Sequence, residues 1–145
     1  MKTVDQWLEE YGESHQNPTN KLIHWFCVPL ITFCVIGLFW YLSPLFAIAF
    51  MGFALFFYVR LSLKLALAMM VMVVIMLGCV LELQRMGSGV LLWTTLSIFV
   101  ISWVFQFIGH HIEGKKPSFL KDVQFLLIGP LWVICFLFRR LGIRY

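Results

Sequence analysis

Charge is what this 145-residue chain has least of: Asp, Glu, Lys and Arg together make up 12% of it. An ordinary soluble domain carries about 25%. With 61% of residues hydrophobic and 17% aromatic, a free-standing soluble domain is excluded, and the chain is read as a membrane protein. The formal net charge of +4 is too small and too scattered for a nucleic-acid partner; it suits contact with anionic lipid headgroups. A cleavable leader is missing too, because residues 1–20 hold Asp5, Glu9, Glu10 and Glu13 and no apolar core. No CxxC spacing occurs: Cys27, Cys34, Cys79 and Cys135 lie singly in apolar runs and are read as buried free thiols. Neither an internal repeat nor a midplane charge is visible, which weighs against a transporter.

What is present is a series of apolar runs with polar ends. Val4, Trp7, Leu8 and Tyr11 recur at the spacing of a short amphipathic helix, capped by Thr3 with Gln6, and predict a helix lying on the membrane surface. Asn17-Pro18 starts the next helix as N-cap and first helical residue. Residues 22–42 form a 21-residue run, about 32 Å of helix against a hydrocarbon core of about 30 Å. Residues 44–59 and 65–81 are shorter spans separated by Arg60 and Lys64; residues 82–89 are a polar turn, and residues 90–109 form the fourth span.

A polar loop, residues 112–122, leads to a fifth apolar stretch at 123–138, interrupted by Gly129-Pro130 and followed by Arg139, Arg140 and Arg144. If that stretch turns back instead of crossing, ten of the 11 basic residues share one side, which the positive-inside rule prefers and places in the cytoplasm. The expected fold is all-α, a polytopic membrane helix bundle forming one domain over residues 1–145. It has four full transmembrane helices, a short broken fifth helix and an N-terminal amphipathic helix.

The four histidines sit at the water-facing ends of these runs: His15 and His24 at the start of the first, His110 and His111 at the end of the fourth. Four crossings return the chain to the side it left, so both pairs share a face. His15 and His24 would point opposite ways on one continuous helix, an obstacle that the Asn17-Pro18 break removes. Asn17, Asn20 and His24 share one helical face, as do Ser102, Gln106, His110 and Glu113. His111 is turned about 100° from His110, so both serve one centre only if the helix ends there, as Gly109 and Gly114 allow. The expectation is one metal site from His15, His24, His110 and His111 with Glu113, surrounded by Tyr11, Asn17, Asn20 and Gln106, with Lys21 at the headgroups. The bland alternative is interfacial histidines that cap helix ends.

Imidazole with carboxylate suits iron or zinc, and the absence of thiolates argues against copper(I) and structural zinc. Four histidines are too few for the di-iron histidine boxes of membrane hydroxylases, which leaves a single metal with open positions. Iron(II) in an acyl-sized membrane pocket suggests oxygen chemistry on a lipid. A zinc-dependent membrane lipid hydrolase and a non-enzymatic membrane protein are the competing classes.

Two segments carry a family resemblance. Tyr11-Gly-Glu-Ser-His15-Gln-Asn17-Pro-Thr-Asn20-Lys-Leu-Ile-His24 with Pro29, and Trp103-Val-Phe-Gln106-Phe-Ile-Gly109-His110 with Glu113 and Pro117, resemble the signatures of the small integral-membrane 2-hydroxy fatty acid dioxygenases. This Mpo-like group is known from phytosphingosine degradation in the fungal endoplasmic reticulum. The resemblance implies Fe(2+)-dependent alpha-oxidation, in which a 2-hydroxy fatty acid and dioxygen yield the fatty acid one carbon shorter. It also implies essential roles for His15, His24 and His110 and an acidic role for Glu113. His111 stands where no fixed residue is expected, and Ser118 where many members have alanine. The metal would bind the substrate's hydroxyl and carboxylate oxygens, Lys21, Lys115 or Lys116 would steer the carboxylate, and the tail would lie between helices. Membrane lipids are further partners; a homo-oligomer, and either a bacterial inner membrane or endoplasmic reticulum, is compatible with the sequence.

Overall fold

The computed structural model describes the backbone of residues 2–114 and 119–145 and the side chains of residues 2–114 and 125–145. Among them run six helices and no strand: α1 (Val4–Gly12), α2 (Pro18–Leu42), α3 (Pro44–Leu61), α4 (Leu63–Met86), α5 (Ser88–Glu113) and α6 (Phe119–Arg140). α2 to α5 are each long and apolar enough to cross a membrane.

Single residues separate these four helices. Ser43 accepts a bond from the Phe46 amide ahead of Pro44 at the start of α3, so one residue both ends α2 and caps its successor. Ser62 and Gly87 make the other two junctions. Gly87 has φ 142°, a backbone region that side chains disfavour. The expected polar turn over residues 82–89 therefore contracts to one glycine, and residues 82–86 are helical. The middle helices likewise outrun the expected short spans, at 18 and 24 residues, because Arg60 and Lys64 are good helix formers and only Ser62 breaks the helix. Cys79 is exposed, unlike the other three thiols, so the reading of all four as buried holds for three.

Close approach of α2 and α5 rests on small residues. A Cβ on Gly37 would lie 2.6 Å from Thr95 Cγ2, and one on Gly109 would collide with the Asn20 side chain. Backbones that approach this closely gain dispersion contacts lipid cannot offer. One apolar cluster (Ile36, Ala47, Met51, Val73, Val80, Leu91) fills the bundle away from the histidines. A second joins Leu8 and Tyr11 of α1, Tyr58 of α3, Leu65 and Met69 of α4, and Ile128 and Leu131 of α6. The apolar side of α1, expected to face lipid, is thus covered by the protein's own core.

α6 corrects a second expectation, for it runs unbroken through Gly129-Pro130. Proline removes one backbone bond, but Ile128, Leu131, Val133 and Cys135 around it are all buried, and that packing holds the helix. A Cβ on Gly129 would lie 2.8 Å from Val28 Cγ1, so the glycine admits α6 against α2. Five peptide steps from Gly114 to Phe119 reach at most about 18 Å, too little to cross the core. At the other end, Lys64 Nζ donates to the Arg144 carbonyl at 2.7 Å and Arg139 lies 3.7 Å from Asp5 of α1. Lys64 belongs to the α3–α4 junction, on the histidine face. α6 therefore begins and ends on one face and lies across the end of the bundle. Of the described basic residues, Lys2, Lys21, Arg60, Lys64, Arg139, Arg140 and Arg144 share that face, and Arg85 beside Gly87 stands opposite.

In a cysteine-free background, single cysteines placed at Lys21 and Arg144 should react with a membrane-impermeant maleimide from one side of oriented vesicles, and one at Gly89 from the other. Labelling of Arg144→Cys together with Gly89→Cys would mean that α6 crosses.

Candidate metal centre

Three imidazoles meet where the N-terminal segment passes the last turn of α5. Ring centroids lie 4.3 Å apart for His15 and His24, 5.0 Å for His24 and His110, and 5.7 Å for His15 and His110. One ring nitrogen from each lies within 4.8 Å of the others, and all three residues are buried. Two bonds of about 2.1 Å to one ion need nitrogens no more than about 4.2 Å apart, which small rotations reach.

The backbone sets which nitrogen each ring offers. His15 Nδ1 lies 2.6 Å from the Tyr11 carbonyl and His24 Nδ1 lies 2.9 Å from the Asn20 carbonyl. A carbonyl only accepts, so each neutral ring donates through Nδ1 and keeps its lone pair at Nε2. His15 Nε2 is buried without a hydrogen-bond partner. The Tyr11 ring stacks on that imidazole at 4.1 Å and 9°, fixing its plane. Burial, opposed by the Tyr11 carbonyl bond, pushes the His15 pKa from 6.5 down to about 4, so the ring is neutral and able to ligate at physiological pH. These are the fit expected of a cation site: neutral nitrogen donors, oriented by outer hydrogen bonds, around an unpaired buried lone pair.

Glu113 does something other than expected. Its carboxylate accepts from the Gln16 amide (2.8 Å), the Asn17 amide (2.9 Å) and Asn20 Nδ2 (3.0 Å), and it is not among the grouped ligand atoms. It ties the segment carrying His15 to the helix carrying His110. Asn17 caps α2, accepting from the Thr19 and Asn20 amides, and Asn20 also donates to the Ser14 carbonyl at 3.2 Å. His111 is exposed and outside the cluster, because α5 continues past it and turns it outward. The structure does not bring it together with the other three histidines. Lys21 is exposed and does not line the cavity; Lys115, Lys116, Pro117 and Ser118 lie outside the described residues.

The imidazoles face a cavity of about 60 Å³ whose other polar wall is Gln106 and whose apolar walls are Val28, Ile31, Trp103, Phe125 and Leu126. Trp103 appeared in the sequence only as part of a motif, and the four aliphatic and aromatic wall residues gave no signal, since apolar side chains in a span face lipid and cavity alike.

Fold and site together define a small polytopic helical membrane protein with a buried three-histidine cluster at one membrane face. Residues 1–141 match the family described as 2-hydroxy-palmitic acid dioxygenase Mpo1-like, and the chain belongs to that family. It is similar to the 2-hydroxy-palmitic acid dioxygenase MPO1 of Saccharomyces cerevisiae, 33% identical over 144 residues, covering 89% of this chain and 76% of that protein. No solved structure matches the chain.

Replacing Glu113 by alanine should weaken metal binding about 10- to 100-fold, as loss of an outer-shell support does, while His111→Ala leaves it unchanged; titration of purified protein with iron(II) or zinc measures both. Unchanged affinity in Glu113→Ala would remove the tie from the account.

Proposed function

We propose that this protein is an Fe(2+)-dependent dioxygenase that shortens 2-hydroxy fatty acids by one carbon at the cytoplasmic face of its membrane, a bacterial inner membrane or the endoplasmic reticulum. The observation that carries this reading is the trio of buried imidazoles, two of them oriented by backbone carbonyls, facing an amphipathic cavity, in a chain whose relative is named for 2-hydroxy-palmitic acid. The excess of described basic residues on the histidine face supports the cytoplasmic side.

His15, His24 and His110 would hold the ion, which when bound supplies Lewis acidity and a site for dioxygen. An imidazole ligates through a neutral nitrogen and Glu113 is bonded elsewhere, so among the described residues no carboxylate competes with an anionic substrate for the cation. The acid head fits the polar end of the cavity; about 60 Å³ is room for roughly two waters, and the tail has to leave. Val28, Ile31, Trp103, Phe125 and Leu126 receive its first methylenes and keep bulk water out. Leu126 also walls a second cavity, lined by Thr32, Val35, Ile36, Met51, Ala54, Met69 and Val73 among others, which leads toward the hydrocarbon interior between α2, α3 and α4. The overall reaction closes without an external reductant: 2-hydroxy acid plus dioxygen gives the shorter acid, carbon dioxide and water, with all electrons drawn from the two carbons that are oxidised.

A zinc-dependent lipid hydrolase is the second reading, favoured by the all-imidazole donor set, which suits catalytic zinc as well as iron. Oxygen uptake separates them. Metal-stripped protein should consume dioxygen with 2-hydroxypalmitate, mole for mole, only after iron(II) is restored, and His24→Ala or His110→Ala should abolish it. Activity restored by zinc without oxygen uptake would replace the dioxygenase by the hydrolase.

A further inference from the structure

Gln106 is buried at 5% exposure, lines the histidine cavity one turn before His110, and its side chain makes no hydrogen bond among the described residues. Buried polar groups in membranes ordinarily find partners. Two other hydroxyls of the bundle do so by the cheapest route, Thr32 bonding to the Val28 carbonyl and Thr95 to the Leu91 carbonyl. Glutamine on a helix has no such short route, and its amide keeps two donors and one acceptor open. Trp103, three residues earlier on the same wall, has its Nε1 buried without a partner as well. The α5 wall of the cavity thus carries unspent hydrogen-bonding capacity, facing the same space as the imidazoles.

We propose that Gln106 recognises the oxygenated head of the substrate and sets the preference for a 2-hydroxy acid over the plain fatty acid; this rests on the dioxygenase reading above. A carboxylate is an acceptor alone, and the hydroxyl on the adjacent carbon is a donor as well. A primary amide matches that pair, its NH2 donating to the carboxylate and its carbonyl accepting from the hydroxyl. An unsubstituted fatty acid satisfies the NH2 and leaves the amide carbonyl desolvated and unpaired. Sites built to bond a substrate hydroxyl reject the analogue lacking it for this reason. Val28, Ile31, Phe125 and Leu126 cannot make the distinction, Trp103 Nε1 is a donor only and cannot accept from the hydroxyl, and the imidazole lone pairs would be committed to the cation.

Binding of 2-hydroxypalmitate and of palmitate to the iron-loaded, detergent-purified protein under argon, where turnover cannot run, tests this. The parent should bind the hydroxy acid at least about tenfold tighter. In Gln106→Leu that ratio should fall by about tenfold, with iron affinity unchanged. Gln106→Met keeps the length without donor or acceptor and should behave the same way, guarding against a folding defect in the leucine variant. A preserved ratio in a variant that still binds iron overturns the proposal, as does a loss of iron affinity with the ratio intact, which would make Gln106 a support for His110. A parent that neither consumes oxygen with 2-hydroxypalmitate nor prefers it refutes the dioxygenase reading itself.

Discussion

The carboxylate of Glu113 is the point on which the site depends. Alone, it is poorly placed: the last turn of an α-helix carries partial negative charge, and an acid there is unfavourable. Its three bonds explain it. The amides of Gln16 and Asn17 and the side chain of Asn20 lie at the N-terminus of α2, where the dipole favours an anion. The acid sits at the wrong end of its own helix because it serves the start of another. Close contact between α2 and α5 at Gly109 brings the two ends within reach, and the tie then draws the His15 segment over them. Residues nearly one hundred positions apart in sequence are joined before any cation is considered.

A second constraint comes from the bilayer. Unpaired backbone cannot be left in lipid, so the chain crosses as whole helices, and junctions of one residue leave no room for a change of direction other than reversal. An even number of crossings then puts His24 and His110 on the same face by parity. α6 adds the roof. It starts close to the end of α5, passes Phe125 and Leu126 over the cavity, accepts the Tyr58 hydroxyl at the Leu127 carbonyl (2.7 Å), and finishes beside Lys64. With α1 packed on it, α6 helps to bury the site on the headgroup side, and burial depresses the His15 pKa.

Much of this was legible in the sequence because hydrophobic length and cap chemistry act locally. The Thr3–Gln6 box, the Asn17-Pro18 start and the four spans follow from a few neighbouring residues each. Bringing His15, His24 and His110 together needed only parity and the break between the first two. The misses have a common cause in contacts from distant parts of the chain. Gly129-Pro130 reads as a break until the packing of Ile128 and Leu131 is known. The part Glu113 plays stays open in the sequence, which cannot show its bonds to Gln16 and Asn17. His111 could not be assigned without knowing that α5 runs on to Glu113 before Gly114, at φ 73°, ends it in the left-handed conformation glycine favours.

Diverting the one nearby carboxylate has a chemical consequence. A donor set of two imidazoles and a carboxylate lowers the charge of a bound dication, whereas three neutral imidazoles leave it undiminished. In a cavity walled by Val28, Ile31, Phe125 and Leu126 the low dielectric makes that charge difference large. A dication held there would favour an anionic partner, whether an acid substrate or hydroxide formed from water. Glu113 holds the N-terminal segment through its bonds to Gln16, Asn17 and Asn20, and is thereby kept from neutralising that charge. A dioxygenase would use that charge on a substrate carboxylate, and a zinc hydrolase would use it on water.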